Sequence, residues 1–553
     1  MEQKKTGVEY DRYLSPLDVW AIAFGCAVGW GAFVMPGTTF LPIAGPLGTA
    51  VSMVISVGIM LVIGANFYFL MKRLPGTGGL YAYTKAAFGR DHAFLCAWFL
   101  TLSYLTILFL NATSLFLVIR IVFGRSLQIG YQHYSIAGND IFMGEVGASI
   151  IALAGIGLLF INAKPFLQRL QTILALVLLA AVAVLSVICI PHMGADALRA
   201  VGTRDLNPVF GVFSLVMLAP WAFVGFEAIS LETAHYNFKQ RRIRWILLFS
   251  IVLCGAVYIA LSLISVSSVP DGYASWQAYI ADLGSLEGVA AVPTFNAAKQ
   301  IMGNGGVWLM ALAAFAAILT GIIAAYRATT RMLSTMAEDN ILSDRFSRTT
   351  YSILFIMVVS ILISIFGRDT LECFMELTSL GAIIGFGYTS AAAWVLARRS
   401  GKRAFAVTGA VGTFCSLAFL IDKLIPGLTA YEAMSQESLL LLMVWCALGF
   451  LFYLRTVTRS DALDYNGTST SCVVLFALLL YAALMWLFRR LAAADTVPAV
   501  RSILLTDGTL TAVVIFLALG VMTYILHQVY RRYEELSKSE EAGKKPADSG
   551  KPD

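Results

Sequence analysis

Two short stretches carry the residue types from which a ligand site can be built. The first reads Gly25-Cys-Ala-Val-Gly29-Trp30-Gly31-Ala-Phe-Val-Met-Pro36-Gly37. It lies inside the first long apolar segment, where an uninterrupted helix is otherwise expected. Glycine costs a helix interior about 1 kcal/mol against alanine, and proline roughly 3 kcal/mol. Within a membrane such an unwound stretch is tolerated where the backbone faces a cavity and binds something. Close packing of helices through small residues is the competing reading. The second stretch is Pro220-Trp221-Ala222-Phe223-Val224-Gly225-Phe226-Glu227. Pro220 removes a backbone donor, Gly225 loosens the helix five residues later, and Glu227 puts a carboxylate in mid-span. That carboxylate must be paired, wetted or protonated.

The chemistry follows from the helix ends that each break creates. Amides freed around Gly29, Trp30 and Gly31 lie at the positive end of a half-helix and suit a carboxylate. Carbonyls freed around Ala222, Phe223 and Val224 suit an ammonium group. An α-amino acid carries both groups on one carbon. Trp221 is a flat ring on which an apolar, aromatic or cationic side chain can stack.

The elements that hold these stretches are membrane helices. The chain has 553 residues, 59% of them hydrophobic and only 13% charged, with a mean hydropathy of +0.78. Ordinary soluble domains are about 25% charged, so the composition is that of a polytopic membrane protein. No cleavable signal peptide is expected, because the first 16 residues are polar and the segment behind them is too long for one. A spanning helix needs about 20 mainly apolar residues. By that measure fourteen segments qualify: 17–43, 46–71, 91–122, 145–162, 168–190, 209–233, 243–267, 306–333, 351–366, 374–397, 404–424, 438–455, 472–490 and 509–530. With the N-terminus inside, most of the 39 lysines and arginines fall on the cytoplasmic face, as the positive-inside rule requires. The C-terminus is then cytoplasmic too. The net charge of +6 belongs to that face and implies no nucleic-acid partner.

Spans one and six are both broken near mid-membrane and lie five spans apart, the mark of a five-plus-five inverted repeat with its substrate site between the breaks. The expected organisation is an all-α membrane protein. Residues 1–16 form a cytoplasmic segment, 17–397 the transport core, 398–455 helices eleven and twelve, 456–530 two further helices, and 531–553 a disordered cytoplasmic tail. Two outer loops are long, 123–144 and 268–305, and the second carries amphipathic pieces that could cover the site. The eight cysteines read as small buried hydrophobes. Neither they nor the five scattered histidines form a metal-ligand pattern. Asn466-Gly467-Thr468 matches a glycosylation sequon but falls on the cytoplasmic side. No cofactor, metal or nucleic acid is expected. The partners are a small-molecule substrate, the lipid bilayer and, if transport is ion-coupled, protons.

Four blocks in order resemble the amino acid–polyamine–organocation permeases. Gly29-Trp30-Gly31-Ala32-Phe33 stands where that family has G-S-G-I-F. Pro75-Gly-Thr-Gly78-Gly79-Leu-Tyr81-Ala-Tyr83, followed by Phe88-Gly89, matches its P-x-x-G-G-x-Y-x-Y…F-G loop. Trp221-Ala-Phe-Val-Gly225-Phe226-Glu227 is similar to its sixth-helix G-F-E/D break. Tyr326-Arg327 and Arg331 through Leu342 resemble its S-R-x-L-x-x-x-A-R-D-G-x-L segment. The resemblance covers about residues 14–455 and implies a LeuT-type five-plus-five inverted repeat with twelve core helices, alternating access, and an amino acid or related amine as substrate. It implies substrate stacking for Trp221 and a proton response for Glu227. It also places helix three against the site, which makes Asn111 a candidate substrate-binding residue, with interhelical hydrogen bonding as the plainer role for Asn111, Thr113 and Ser114.

Three departures stand out. Trp30 replaces a small serine, the segment after the sixth-helix break lacks the usual K-x-P, and helix five has no lysine. Proton coupling would therefore rest on Glu227, and obligatory exchange is equally open. Glu376 and Ser379 are candidates for an outer gate. Asp18 is expected to pair with a cytoplasmic Lys or Arg, and Glu232 to be a wetted charge near basic residues. The expected function is a secondary active permease in a bacterial-type plasma membrane. The rivals are a sensor or binding protein that has lost transport, a membrane-embedded enzyme, and a sodium-coupled symporter of another small solute.

Overall fold

The computed structural model describes residues 12–76, 78–124, 133–136, 139–365, 371–425, 428–430, 434–459 and 470–493. The predicted tail, the sequon at Asn466 and the segment 509–530 lie outside the described residues.

The chain is organised as helices α1 (Pro16–Ala27), α2 (Gly31–Met35), α3 (Leu41–Arg73), α4 (Gly79–Phe88), α5 (Arg90–Phe123), α6 (Met143–Asn162), α7 (Lys164–Cys189), α8 (Ala195–Arg199) and α9 (Pro208–Val216). There follow α10 (Ala219–Phe223), α11 (Ile243–Ser265), α12 (Trp276–Ala281), α13 (Pro293–Glu338), α14 (Thr349–Ser364), α15 (Leu371–Arg399), α16 (Arg403–Leu424), α17 (Gln436–Arg459) and α18 (Thr470–Ala493). Among the described residues, nine helices are long and apolar enough to cross a membrane, and a tenth span is the pair Pro208–Val216 and Ala219–His235, bent by 46°. Apolar helices satisfy every backbone donor and acceptor within themselves, which is what a bilayer demands. Thirteen of the fourteen predicted apolar segments fall on described helices.

A β-hairpin was not expected. Strands β1 (His133–Ile136) and β2 (Asn139–Phe142) pair antiparallel with His133 opposite Phe142, between α5 and α6. The helix ends on either side of it are tied by an ion pair between Arg120 and Glu145.

Local sequence sets each turn of the first span. Pro16 opens α1, whose first turn is closed by a capping box between Ser15 and Asp18. Among the described residues Asp18 is thus engaged by Ser15 rather than by the Lys or Arg expected. Its other oxygen accepts from the Thr172 hydroxyl at 2.8 Å. After α2, Pro36 cannot donate to an α-helical hydrogen bond, and Pro36–Phe40 is a wider π turn. The corner into the second span is Gly45, with φ of +66°, directly before Pro46.

The described residues fall into two compact units: residues 1–335 with 345–435, and residues 336–344 with 436–553. In the second, α17 packs against α18. In the first, the segment 268–292 folds back on the start of α3, burying Trp276, Tyr279 and Ile280 against Leu41 and Val266. The Tyr273 hydroxyl donates to Asp282 Oδ2 at 2.5 Å, and this bond first, then Ser285, holds that carboxyl below its usual range. The predicted amphipathic piece at 295–301 is the beginning of α13, which turns a corner at Gly303, φ +63°.

Candidate functional site

The first span is broken where its glycines cluster. Helix α1 stops at Ala27, Val28 is extended (φ −104°, ψ 96°), and α2 begins at Gly31. A break creates two kinds of unsatisfied group, carbonyls on the first half and amides on the second. The Val28 amide still donates to Phe24 O at 3.0 Å, the Ala32 amide to Gly29 O at 3.1 Å and the Phe33 amide to Trp30 O at 2.9 Å. The Trp30 amide is taken by a side chain, donating to Asn111 Oδ1 at 3.3 Å. Asn111 in turn donates to Ile107 O at 2.9 Å on its own helix. This leaves the amides of Gly29 and Gly31 and the carbonyls of Cys26 and Ala27 as the polar backbone of the break, with the Cys254 thiol reaching Ala27 O only weakly, at 4.0 Å.

The sixth span is interrupted twice around the stretch the sequence marks: it bends by 46° between α9 and α10, at Met217 and Leu218, and it leaves the helix again after Phe223. Pro220 lies in the first turn of α10, where a proline has no intrahelical hydrogen bond to lose. The chain leaves the helix at Val224 (φ −55°, ψ 135°) and turns at Gly225, φ +116°, into a 3₁₀ helix over Phe226–His235. Gly225 is required by contact as well as by conformation. A Cβ there would lie 2.7 Å from the backbone carbon of Cys26, so the two breaks press against each other at this point. They meet again where the Trp221 ring lies on Gly31, with a Cβ on residue 31 falling 2.6 Å from Trp221 Cζ2 and Cη2.

A cavity of about 540 Å³ opens between the breaks. It contains Gly29, Trp30, Gly31, Asn111, Trp221 and Val224 from the predicted set, and adds Cys26, Ala27, Tyr258, Met375 and Thr378. Ala222, Phe223, Gly225 and Glu227 are not in its wall. Ala222 and Phe223 are fully buried on the opposite face of α10, and the Ala222 carbonyl accepts the Cys254 thiol at 3.5 Å. Trp30 packs between Phe33 and Phe295, with ring centroids at 6.5 and 6.4 Å. Tyr258 stands beside Trp221 at 6.3 Å. The rest of the wall is Val34, Met35, Ile107, Leu110 and Leu117, the hydroxyl-bearing Thr38, Thr39, Ser114 and Ser435, and the charged Arg204 and Glu376.

Glu227 is fully buried behind this cavity. Its Oε2 accepts from the Gly225 amide at 2.8 Å and its Oε1 from the Tyr104 hydroxyl at 3.1 Å. The carboxylate thus closes the turn at the second break and ties it to α5. The other candidates resolve differently. Glu376 is buried, lines the cavity and accepts from the Ser435 amide at 2.7 Å. The Ser379 hydroxyl donates back to Met375 O and is not in the wall. Glu232 lies among basic residues as expected, in the wall of a second cavity, but it is largely buried. It is 2% exposed and bound to Arg331, Nε to Oε1 at 3.1 Å.

Sequence reasoning missed Cys26, Ala27 and Tyr258. The first two follow from the rule that every break frees carbonyls as well as amides. Nothing in the sequence marks Tyr258, which reaches the site only through the packing of α11. Among the described residues, no group of three or more His, Cys, Asp or Glu could hold a metal ion.

Comparison with known proteins adds an independent line. A family model described as amino acid permease matches residues 14–448. Branched-chain amino acid permease BcaP of Bacillus subtilis (strain 168) is 26% identical over 309 residues, 51% of this chain and 63% of the relative. The methylthioribose transporter of the same organism is 24% identical over 347 residues, 61% and 69% of the two chains. The vacuolar cationic amino acid transporter 2 of Arabidopsis thaliana is 24% identical over 389 residues, 69% and 58%. The matched regions thus span roughly three fifths to two thirds of the relatives' own lengths. With the family model covering most of its length, on a multi-pass chain whose first and sixth spans are broken, this chain belongs to the amino acid permease family.

Proposed function

We propose that the chain is a secondary active transporter of an α-amino acid with an apolar side chain, working by alternating access in a bacterial-type plasma membrane. The observation that carries this reading is the cavity itself: both ends of a broken helix open into it beside two aromatic rings. The substrate carboxylate sits on the amides of Gly29 and Gly31, at the positive end of α2. Its ammonium group sits on the carbonyls of Cys26, Ala27 and Val224. Trp221 and Tyr258 cover the side chain, and Asn111 fixes the break by holding the Trp30 amide.

An apolar side chain is favoured over a cationic one by the wall. Among the described lining residues the carboxylates are represented by Glu376 alone, and it is engaged by the Ser435 amide. A volume of about 540 Å³ is in the usual range for small-molecule sites, roughly 300–1,000 Å³. The branched-chain permease among the relatives fits this preference, while the cationic transporters are the alternative that the substrate panel decides.

The finer architecture is part of the same proposal. It is a five-plus-five inverted repeat within 17–397, helices eleven and twelve over 398–455, two further helices in 456–530, and both termini cytoplasmic. Glu227 is the group that changes protonation during the cycle if protons drive transport. Exchange of one amino acid for another needs no such change.

Uptake into proteoliposomes tests the reading, using labelled leucine, phenylalanine, lysine and a decarboxylated amine, with and without a pH gradient and internal substrate. Saturable uptake of an apolar amino acid is expected. Lysine transported in preference to leucine would overturn the side-chain assignment, and binding without flux across the panel would make the chain a sensor.

A further inference from the structure

A second cavity, of about 590 Å³, lies at the end of the first unit that carries Tyr13, Lys164, Arg327 and Arg331. It is separate from the site between the breaks and shares none of its lining residues. Its charge is unbalanced. Lys164, Arg169, Arg327 and Arg331 line it against one carboxylate, Glu232. That carboxylate's Oε1 accepts from Arg331 Nε at 3.1 Å, while its buried Oε2 has no hydrogen-bond partner and lies 3.8 Å from His235 Nε2.

Two donors in the wall are left over. Arg327 Nε and Thr330 Oγ1 are both buried without a hydrogen-bond partner, and the Thr330 side chain is 6% exposed. They stand three residues apart on α13, which puts them on one face of the helix. A buried donor left unmade costs about 1–3 kcal/mol, so two beside one cavity mark the place of an acceptor. Lys164 and Pro165 begin the 26-residue helix α7, whose positive end adds to the same field.

We propose that this cavity binds a phosphate-bearing anion. Arginine forks, a lysine, a hydroxyl and a helix N-terminus are together the donor set that cradles a phosphate group. The excess of positive charge over Glu232 favours an anion, and a phosphate group offers several oxygen acceptors to the donors that converge here. Lys164 and Arg169 are exposed at the mouth and Arg327 and Thr330 lie deeper, so the phosphate enters past the first pair to reach the second. The same chemistry is presented by a free phosphate and by the headgroup of an anionic phospholipid. The inference stands on this cavity alone and does not depend on the transport reading.

The test is thermal unfolding of the purified full chain. One arm titrates inorganic phosphate against chloride at equal ionic strength in detergent. The other compares vesicles of phosphatidylcholine alone with vesicles containing phosphatidylglycerol. The wild-type chain and the variants Arg327→Gln, Thr330→Val and Arg169→Gln are run in both. Arg169 is exposed, so its variant reports on the anion without endangering the fold. The expected result is a saturable rise in the unfolding midpoint, with apparent affinity lowered at least tenfold by Arg327→Gln and to a smaller degree by the other two. A rise with phosphate assigns a soluble ligand, and a rise only with phosphatidylglycerol assigns the headgroup. No rise in either arm, or an equal rise in all four proteins, overturns the proposal.

Discussion

Gly31→Ala is the substitution from which the site stands to lose most for the least change in composition. A methyl group on residue 31 would lie 2.6 Å from Trp221 Cζ2 and Cη2, about 1 Å inside carbon–carbon contact at roughly 3.5 Å. The Trp221 ring is half-buried and borders the cavity, so it can retreat into that space. The fold is then little disturbed, but a ligand must push the ring back. Overpacking of this kind costs about 1–3 kcal/mol, which at 1.4 kcal/mol per decade weakens binding about 5- to 150-fold. Isothermal titration of the preferred amino acid measures it. Trp221→Leu serves as the second arm of a cycle, because the smaller side chain leaves room for the methyl group. Its own loss should not be deepened by Gly31→Ala, giving a coupling of about 0.5–3 kcal/mol. Affinity unchanged within twofold in Gly31→Ala, or losses that simply add in the double variant, would refute the contact between ring and glycine as part of the site.

Two further substitutions follow. Glu227→Gln keeps an acceptor for the Gly225 amide and a donor for a reoriented Tyr104 hydroxyl, so the fold should survive while the pH dependence of uptake flattens. An unchanged pH profile removes Glu227 from coupling, whereas Glu227→Ala strands both partners and should lower stability by about 2–5 kcal/mol in chemical unfolding. Asn111→Asp keeps the acceptor for the Trp30 amide but sets a negative charge beside the proposed carboxylate position. Titration should show at least tenfold weaker binding of the amino acid, and equal affinity would put the carboxylate elsewhere.

The broken helices were legible in the sequence because glycine and proline are costly in a helix interior, and Gly29, Gly31 and Gly225 do fall at the interruptions. The position of the second break was less legible. Proline and glycine mark separate interruptions: α9 ends at Val216, four residues before Pro220 and its missing donor, and α10 ends just before Gly225. The 3.6-residue period also separates Trp221 and Val224, which line the cavity, from Ala222 and Phe223, which face away. Reading those four residues as one stretch obscured that division. What Glu227 does depends on Tyr104, 123 residues earlier in the chain, and no local pattern encodes such a pairing. The same holds for Asn111, whose amide reaches a break 81 residues away, and for Tyr258. Charge at the far cavity was visible as residue types in the Arg327–Arg331 block and Glu232. Their convergence on Lys164 was not, since it depends on how α7 and α13 pack.

Above all, we propose that the break between α1 and α2 grips the backbone groups of an amino acid. A cryo-electron microscopy structure of the chain in lipid nanodiscs with the amino acid ranked first by uptake tests it most directly. The predicted density places the ligand carboxylate within about 3 Å of the Gly29 and Gly31 amides, its nitrogen at the carbonyls of Cys26, Ala27 and Val224, and its side chain against Trp221. A ligand bound away from the break, or held there with its carboxylate turned from Gly29 and Gly31, would contradict it.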